Sequence, residues 1–163
     1  MNSLLFNSEK SVRGWTEIGD QVMGGLSHGV LRYNAAGFAV FEGVVCLDNG
    51  GGFSSVRHSN LHLGGDGITG YRLEVRGDGK RYKLNLGTRQ TFDAVQYQAP
   101  FEPKVGVWVD IEMPVTDFEA RFRGTALSDV QPLDPAAVRR VGLMVSDQQA
   151  GPFRLEIRRI SCY

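Results

Sequence analysis

The segment Gly25-Leu26-Ser27-His28-Gly29 has the residue types of a hydrolytic site, because it matches the GxSxG pattern of serine hydrolases and places a histidine beside the serine. In those enzymes the serine lies on a sharp turn between a strand and a helix. Here the residues that follow, 30–33, are mostly apolar or aromatic and indicate a strand. We therefore interpret the segment as a glycine-rich turn and expect no catalytic residue in it.

Residues 65–70 contain a second motif, GxGxxG. In nucleotide-binding proteins these glycines let the N-terminus of a helix approach a pyrophosphate. The alternating residues that begin at Tyr71 indicate a strand at this place instead of a helix. We expect a loop here and no nucleotide cofactor.

Two groups of residues have side chains that could bind a metal ion. His58 and His62 would share one face of a helix, but the surrounding segment lacks the apolar pattern of a helix, so we expect a polar loop. Asp48, Asn49 and Asp147 could supply oxygen ligands, but their spacing is not that of an EF-hand loop. We expect no metal site and no cofactor.

Trp108 could contact a ligand, because it alternates with apolar residues and shares its predicted strand face with Asp110. An aromatic ring on a polar face can stack on a sugar while amides and carboxylates bond to its hydroxyls. Gln96 and Gln98 could provide such amides if their strand were a neighbour of the Trp108 strand. The alternative is an ordinary solvated sheet surface, and the sequence leaves both open.

The dominant periodicity of the chain is two, which is typical of strands with one face buried. It predicts about nine strands, at residues 30–33, 38–45, 53–56, 71–76, 82–86, 95–99, 107–113, 141–145 and 153–157. The strands at 71–76 and 82–86 are separated by Gly77-Asp78-Gly79, which predicts a β-hairpin. The phase of the last strand slips before Ile160, which indicates a bulge or the end of the strand.

Helix signals are scarce. The best is Asp134-Pro135-Ala136-Ala137, where the aspartate can cap a helix of a turn or two. Many short strands with glycine-rich turns predict an all-β fold, a two-sheet antiparallel β-sandwich of jelly-roll type. We expect one such domain over residues 1–163.

Composition and charge narrow the function classes. The chain has 21 glycines in 163 residues, which excludes a helix-dominated protein. It has 18 basic and 18 acidic residues. A net charge of zero provides no field that attracts nucleic acid, and no segment has the apolar length for direct membrane insertion.

Cys46 and Cys162 have no disulfide or zinc spacing, and the first residues lack a signal-peptide pattern, so we expect a cytoplasmic protein.

A set of glycine and aromatic motifs runs in order along nearly the whole chain. They are Trp15-x4-Asp20-x2-Met23-Gly24-Gly25-x-Ser27, Phe41-x-Gly43, Asn49-Gly50-Gly51-Gly52-Phe53 with Arg57, Gly77-Asp78-Gly79-x2-Tyr82, Trp108 with Pro114 and Phe118, Phe122-Arg123-Gly124, and Ser146-Asp147-Gln148-Gln149-x-Gly151-Pro152-Phe153-x-Leu155. Together these motifs resemble the complex I intermediate-associated protein family. Gly50 replaces a second asparagine and Gln148 a common lysine of that pattern.

The resemblance implies a galactose-binding-domain-like jelly roll and a role as an assembly factor, or chaperone, that holds intermediates of respiratory complex I, NADH:ubiquinone oxidoreductase. It supplies no catalytic residues, so we expect a non-catalytic protein-binding module rather than an enzyme. The chain lacks the N-terminal extension of mitochondrial members, so it resembles a stand-alone bacterial type. The expected partner is a protein, such as a complex I subunit or assembly intermediate. The alternative is a small-ligand or carbohydrate-binding jelly-roll module.

The candidate binding residues are the polar and aromatic side chains within these motifs and beside them. They are Asp20, Asn49, Arg57, Asp78, Arg81, Trp108, Asp147 and Gln149. A structural role is the competing interpretation, because aspartate and asparagine in glycine turns often bond to nearby backbone, and arginine often satisfies carbonyls or pairs with acids.

Overall fold

Thirteen strands make up most of the computed structural model, which describes residues 3–59, 63–89, 95–122 and 124–163. In chain order the strands are β1 Ser3–Leu5, β2 Thr16–Glu17, β3 His28–Asn34, β4 Phe38–Val45, β5 Ser54–Ser59, β6 Gly70–Arg76, β7 Tyr82–Thr88, β8 Val95–Phe101, β9 Val109–Pro114, β10 Glu119–Phe122, β11 Thr125–Ala126, β12 Val138–Val145 and β13 Gly151–Cys162. Short 3-10 turns lie at Glu9–Val12, Asp20–Met23, Asp48–Gly50, Val115–Asp117 and Pro135–Ala137. His62 and Arg123, which figure in the predictions above, lie outside the described residues.

The strands form two antiparallel sheets. The six-stranded sheet has the order β3-β4-β13-β6-β9, with β1 paired to β13. The seven-stranded sheet has the order β11-β10-β8-β7-β12-β5-β2. The predicted all-β fold with two antiparallel sheets is therefore confirmed.

The core lies between the sheets and follows from the alternation in the sequence. Phe41 and Ile157 of the six-stranded sheet and Leu84 and Leu143 of the seven-stranded sheet are completely buried. Phe41 also meets Tyr82 of the other sheet edge-on, with ring centroids 6.4 Å apart. Burying alternate side chains of both sheets in one layer is the main source of stability for such a sandwich.

Two local predictions are confirmed. Asp134 accepts a hydrogen bond from the backbone N–H of Ala136, 3.0 Å away, and so caps the 3-10 turn Pro135–Ala137. The register of β13 against β6 shifts between Ile157 and Arg159 and the strand continues to Cys162, so of the two alternatives for the phase slip the bulge is confirmed. Four strands that the sequence did not indicate, β1, β2, β10 and β11, are two to four residues long, too short to show a period.

The predicted β-hairpin at 71–86 is wrong. Strand β6 pairs with β13 and β9, whereas β7 pairs with β8 and β12 in the other sheet. The connection 77–81 crosses from one sheet to the other instead of folding back. Periodicity indicates which face of a strand is buried, but it carries no information about the sheet to which the strand belongs.

Within the described residues, no helical segment has the length and apolar composition that a membrane span requires.

Gly43 on β4 is required by the close approach of β3. A Cβ at Gly43 would overlap the carbonyl oxygen of His28 and lie 2.7 Å from Cα of Gly29. We predict that Gly43→Ala lowers the free energy of unfolding by about 3 kcal/mol, because the backbones of two paired strands cannot move apart without losing their hydrogen bonds. Equilibrium denaturation in urea measures the loss.

Gly65→Ala is the matched control. Its added Cβ would have ordinary contact with Cδ1 of Ile68 at 3.5 Å, so we expect a change within about 0.5 kcal/mol. Equal stability of the two variants would contradict the assigned pairing of β3 with β4.

Candidate functional site

Five connections emerge at the same end of the sandwich, which we call the loop end: residues 18–27, 46–53, 77–81, 102–108 and 146–150. Strand pairing places them there, because His28 pairs with Val44, Val45 with Gly151, and Val145 with Ser54. Seven of the eight candidate residues lie in these connections; Arg57 is the exception.

Asp20 joins two of the connections. Its carboxylate Oδ1 accepts the backbone N–H of Ser27 at 3.0 Å, and Oδ2 accepts those of Gly52 at 2.7 Å and Phe53 at 3.3 Å. The side chain is completely buried. Asp20 therefore holds the segment before β3 against the segment after β4.

The glycines beside Asp20 leave room for its carboxylate. A Cβ at Gly25 would overlap Cγ of Asp20, and one at Gly51 would lie 2.7 Å from Oδ2. Gly24 also has a φ of +86°, a left-handed conformation that glycine adopts without strain. Packing against Asp20 thus explains Gly25 and Gly51, whereas backbone conformation explains Gly24.

The pKa of Asp20 is shifted by two opposing causes. Burial raises it, but hydrogen bonds from Ser27, Gly52 and Phe53 stabilise the charged form and together hold the pKa below its ordinary value. The carboxylate is therefore ionised in the folded protein at neutral pH.

Ser27, the serine of the GxSxG pattern, is also buried. Its hydroxyl donates to the carbonyl of Cys46 at 3.2 Å and accepts the N–H of the same residue at 2.9 Å. His28 points elsewhere, towards Gln21 and Glu17. The serine links the two connections that Asp20 joins, and its bonded hydroxyl is not placed as a nucleophile.

Asp78 anchors the crossing between the sheets. Its carboxylate accepts the N–H of Lys80 at 3.0 Å, the hydroxyl of Tyr82 at 3.0 Å and the N–H of Arg154 at 2.7 Å. One side chain thereby connects the 77–81 segment to β7 in one sheet and to β13 in the other.

Gln149 ties this crossing to the next connection. Its amide accepts the N–H of Arg81 and donates to the carbonyl of Arg81, both at 2.9 Å, and it also donates to the carbonyl of Ser146. Asp147 has a φ of +63° and pairs with Lys83 of β7 at 3.2 Å. Arg81 and Asp147 are exposed, so this part of the loop end is accessible to a partner.

Asn49 and Arg57 occupy different surroundings. Asn49 is exposed at the tip of the 46–53 connection and has a φ of +58°, a conformation that asparagine tolerates better than most residues. Arg57 lies in the middle of β5, opposite Gly142 and Thr16. The structure therefore separates Arg57 from the other candidates.

Trp108 precedes β9 and is half-buried against the outer face of the six-stranded sheet. The guanidinium carbon of Arg158 lies 3.9 Å from its ring centroid and that of Arg76 lies 4.9 Å away, while Phe38 meets the ring edge-on. Cation–π contacts of this kind hold the ring in place.

The patch that would combine Trp108 and Asp110 with Gln96 and Gln98 does not form. Asp110 is on β9 of the six-stranded sheet, whereas the glutamines are on β8 of the seven-stranded sheet. The 102–108 connection crosses between the sheets, so β8 and β9 are not neighbours although they follow one another in the chain.

A group of exposed apolar residues at the loop end was missed by the sequence analysis. Leu26 and Leu47 lie in two of the connections, and Val30 and Val44 lie on the outer face of β3 and β4 beside them. All four are between 43% and 52% exposed. Of these four residues, Val44 could have been recognised from the sequence, because it is an apolar residue on the same strand face as the charged Glu42.

Metal binding by clusters of acidic, histidine or cysteine side chains receives no support from the geometry. In the part of the chain that the structure describes, no three such residues come together in a way that could hold a metal ion.

We predict that Asp20→Asn lowers the free energy of unfolding by about 3 kcal/mol, or Tm by roughly 6 to 12 °C, because the new amide N–H₂ would face the backbone N–H groups of Gly52 and Phe53. The folded pKa of Asp20 lies below its unfolded value, so its contribution is present above about pH 4 and is lost as pH falls through the folded pKa. The Tm difference between the native protein and the variant should shrink on acidification.

Asp48→Asn is the control, because Asp48 is exposed in the adjoining connection. We expect its Tm to stay within about 2 °C of the native value at every pH. A Tm loss in Asp20→Asn no larger than that of the control would show that the buried carboxylate does not stabilise the loop end.

Comparison with solved structures shows which known proteins share this architecture. A family 11 carbohydrate-binding module from Clostridium thermocellum, solved with a β-1,3-1,4-mixed-linked tetrasaccharide, aligns with a TM-score of 0.69 at 13% identity and covers 99% of this chain and 96% of its own. A variant of the family 29 module CBM29-2 aligns with a TM-score of 0.58 at 11% identity over 98% and 83% of the two chains. The agarase AgWH50C aligns over all of this chain and 25% of its own, with a TM-score of 0.62 at 11% identity. At such identities the likeness shows the fold alone.

Comparison at the level of sequence gives a more specific result. A search of curated proteins found no match. The model of the family described as complex I intermediate-associated protein 30, however, matches residues 4–157. This range contains all of the candidate residues and the Asp20 and Asp78 networks. Because the match covers nearly the whole sequence, the chain belongs to the complex I intermediate-associated protein 30 family.

Proposed function

We propose that the protein is a non-catalytic protein-binding module that holds intermediates of respiratory complex I during assembly. Membership of the complex I intermediate-associated protein 30 family over residues 4–157 is the observation that supports this function. The partner is then a subunit or subcomplex whose interface is still uncovered. A cytoplasmic location is part of the proposal.

The loop end is the surface that fits this role best. Loops on a rigid sheet framework are the usual place for binding residues. Here Leu26, Val30, Val44 and Leu47 are about half exposed beside the exposed polar residues Asn49 and Asp147. Apolar side chains with a polar rim are the composition expected of a protein interface, and the uncovered interface of an unassembled subunit is apolar as well.

The Asp20 and Asp78 networks support this use of the loop end in a second way. Asp20 fixes the two connections that carry Leu26 and Leu47, so these leucines lie on segments with little freedom to lose on binding. Asp78 fixes the neighbouring 77–81 crossing in the same way. Association costs less when the binding surface is preorganised.

Carbohydrate binding is the second candidate function. The fold is shared with carbohydrate-binding modules, one of them solved with a bound tetrasaccharide. Trp108 does not favour it, because Arg158 covers the ring at 3.9 Å and occupies the place of a stacked sugar. What does favour it is a polar cleft on the seven-stranded sheet, lined by Gln98 and Lys83 among others.

We predict that the double variant Leu26→Ser, Leu47→Ser reduces recovery of complex I subunits at least tenfold when the tagged protein captures partners from detergent-solubilised cells of its source organism. About half of each leucine is exposed in the free protein, and serine would remove the apolar area that the leucine buries in the complex. Burial of such area contributes roughly 25 cal/mol per Å² to binding. Mass spectrometry of the captured proteins measures recovery, and Tm confirms folding.

Leu5→Ser is the matched control, because Leu5 is 50% exposed but lies on β1, away from the loop end. Its capture should equal that of the native protein. If the native protein recovers no complex I subunit and deletion of its gene leaves complex I assembly intact, the assembly function is wrong. If Leu5→Ser and the double variant lose capture equally, the loop end is the wrong surface.

A further inference from the structure

The outer face of the seven-stranded sheet carries a row of polar residues that the loop end does not use. Strand register aligns Arg57 of β5, Asn85 of β7, Gln98 of β8 and Glu119 of β10 across the sheet, with Gly142 of β12 between Arg57 and Asn85. Neighbouring strands are about 4.8 Å apart, so this row is roughly 19 Å long.

An open cleft of about 440 Å³ lies over one half of this face. Its walls include Lys83, Gln98, Glu119, Arg121 and Asp147. Among the described residues that line it, all except Pro100 have polar side chains. Further apolar surface comes from the aliphatic stems of those side chains. The lining combines hydrogen-bonding groups with apolar stems, so the cleft fits a ligand that offers many hydrogen bonds together with some apolar surface.

The charged groups of the cleft are largely neutralised by one another. Lys83 pairs with Asp147 at 3.2 Å, and Arg121 pairs with Glu119 at 2.9 Å. A charged ligand would have to compete with these pairs. A hydroxyl group, in contrast, can donate to a paired carboxylate and accept from a paired cation without breaking either bond.

Asn85 adds an unsatisfied group beside the cleft. Its side chain is only 5% exposed, and within the described part of the chain its Oδ1 has no hydrogen-bond partner. Its amide nitrogen lies 4.0 Å from the sulfur of Met144, and the amide nitrogen of Gln98 lies 3.7 Å from the same sulfur. Thioether sulfur is a weak acceptor, so these contacts can be exchanged for better ones. An unpaired buried acceptor costs stability, and binding sites are where such a cost is commonly retained.

We propose that this cleft, together with Asn85, binds a neutral, hydroxyl-rich chain of the saccharide class. Hydroxyls of such a ligand would bond to Gln98 and to the two ion pairs. One hydroxyl would donate to Oδ1 of Asn85, which is closed to solvent in the unbound protein, once the weak contacts of Asn85 and Gln98 with Met144 are exchanged. The apolar ring faces of a saccharide can lie against Pro100 and the aliphatic stems of the lining side chains. The proposal gives the second candidate function its site and is independent of the assembly function.

The first test measures binding to soluble polysaccharides. Affinity electrophoresis of the whole chain in gels that contain β-glucan, xylan, galactomannan or dextran, with polygalacturonate as the charged comparison, should show retardation by at least one neutral polymer. Isothermal titration with oligosaccharides of that polymer then gives Kd. We expect Gln98→Ala to raise Kd at least tenfold, because alanine cannot form the hydrogen bonds that the amide of Gln98 makes to the ligand.

Gln96→Ala is the matched control. Gln96 has the same side chain and lies on the same strand face two residues away, but it does not line the cleft. It should leave Kd within about twofold, since it makes no contact with the ligand. Trp108→Ala, in the other sheet, should also leave Kd unchanged.

The second test separates a binding role of Asn85 from a structural one. We predict that Asn85→Leu raises Tm by roughly 2 to 4 °C, because an apolar group of similar volume removes the unpaired acceptor, and at the same time abolishes binding. A purely structural asparagine would instead lower Tm when replaced.

Three results would overturn the proposal: no retardation by any neutral polymer, equal loss of affinity in Gln96→Ala and Gln98→Ala, or a lowered Tm in Asn85→Leu. Stronger retardation by polygalacturonate than by every neutral polymer would overturn the neutral class. None of these results affects capture of complex I subunits, and failure of that capture leaves polysaccharide binding unaffected, so the two functions fail separately.

Discussion

The buried carboxylate of Asp20 is the constraint around which the loop end is built. Removing a charge from water is costly, and here backbone N–H groups from two distant connections compensate it. The carboxylate in turn requires Gly25 and Gly51, because a Cβ at either position would occupy its space. Those glycines set the paths of the connections that present Leu26 and Leu47. A stability requirement therefore determines the geometry of the proposed binding surface.

The alternation of residues such as Leu84 and Leu86 was enough to predict the nine longer strands and the all-β fold, since the period of two reports directly on burial. Which strands become neighbours depends on contacts far apart in the chain. The crossing at Asp78 relies on the backbone of Arg154, 76 residues later, and Asp20 relies on Gly52, 32 residues later. Such pairings leave no local pattern, so the hairpin was predicted wrongly and the sequence could not decide whether the Trp108 patch forms.

The same reasoning applies to the candidate residues. Glycine-flanked polar residues could be recognised as a set because turns restrict residue type, and most of them do meet at one end of the sandwich. The exposed leucines and the unpaired amide of Asn85 could not be recognised, because exposure and hydrogen-bond partners are properties of the packed chain. Sequence identified the framework of the site better than the groups that would contact a partner.

The outer faces of the two sheets differ in how far their polar groups satisfy one another. On the six-stranded sheet, Arg154 bridges Glu42 and Glu156, while Arg158 bonds to Glu74 and covers Trp108. The bond from Arg76 is the main cause that lowers the pKa of Glu156. A charged ligand on this face would have to compete with pairs that already exist, at a cost that new contacts must first offset.

On the seven-stranded sheet the central groups are neutral amides, and one acceptor has no partner among the described residues. A ligand gains most where it satisfies a group that the protein alone leaves unsatisfied. We therefore propose the saccharide site on the seven-stranded sheet and the partner surface at the loop end rather than over the paired charges of the six-stranded sheet.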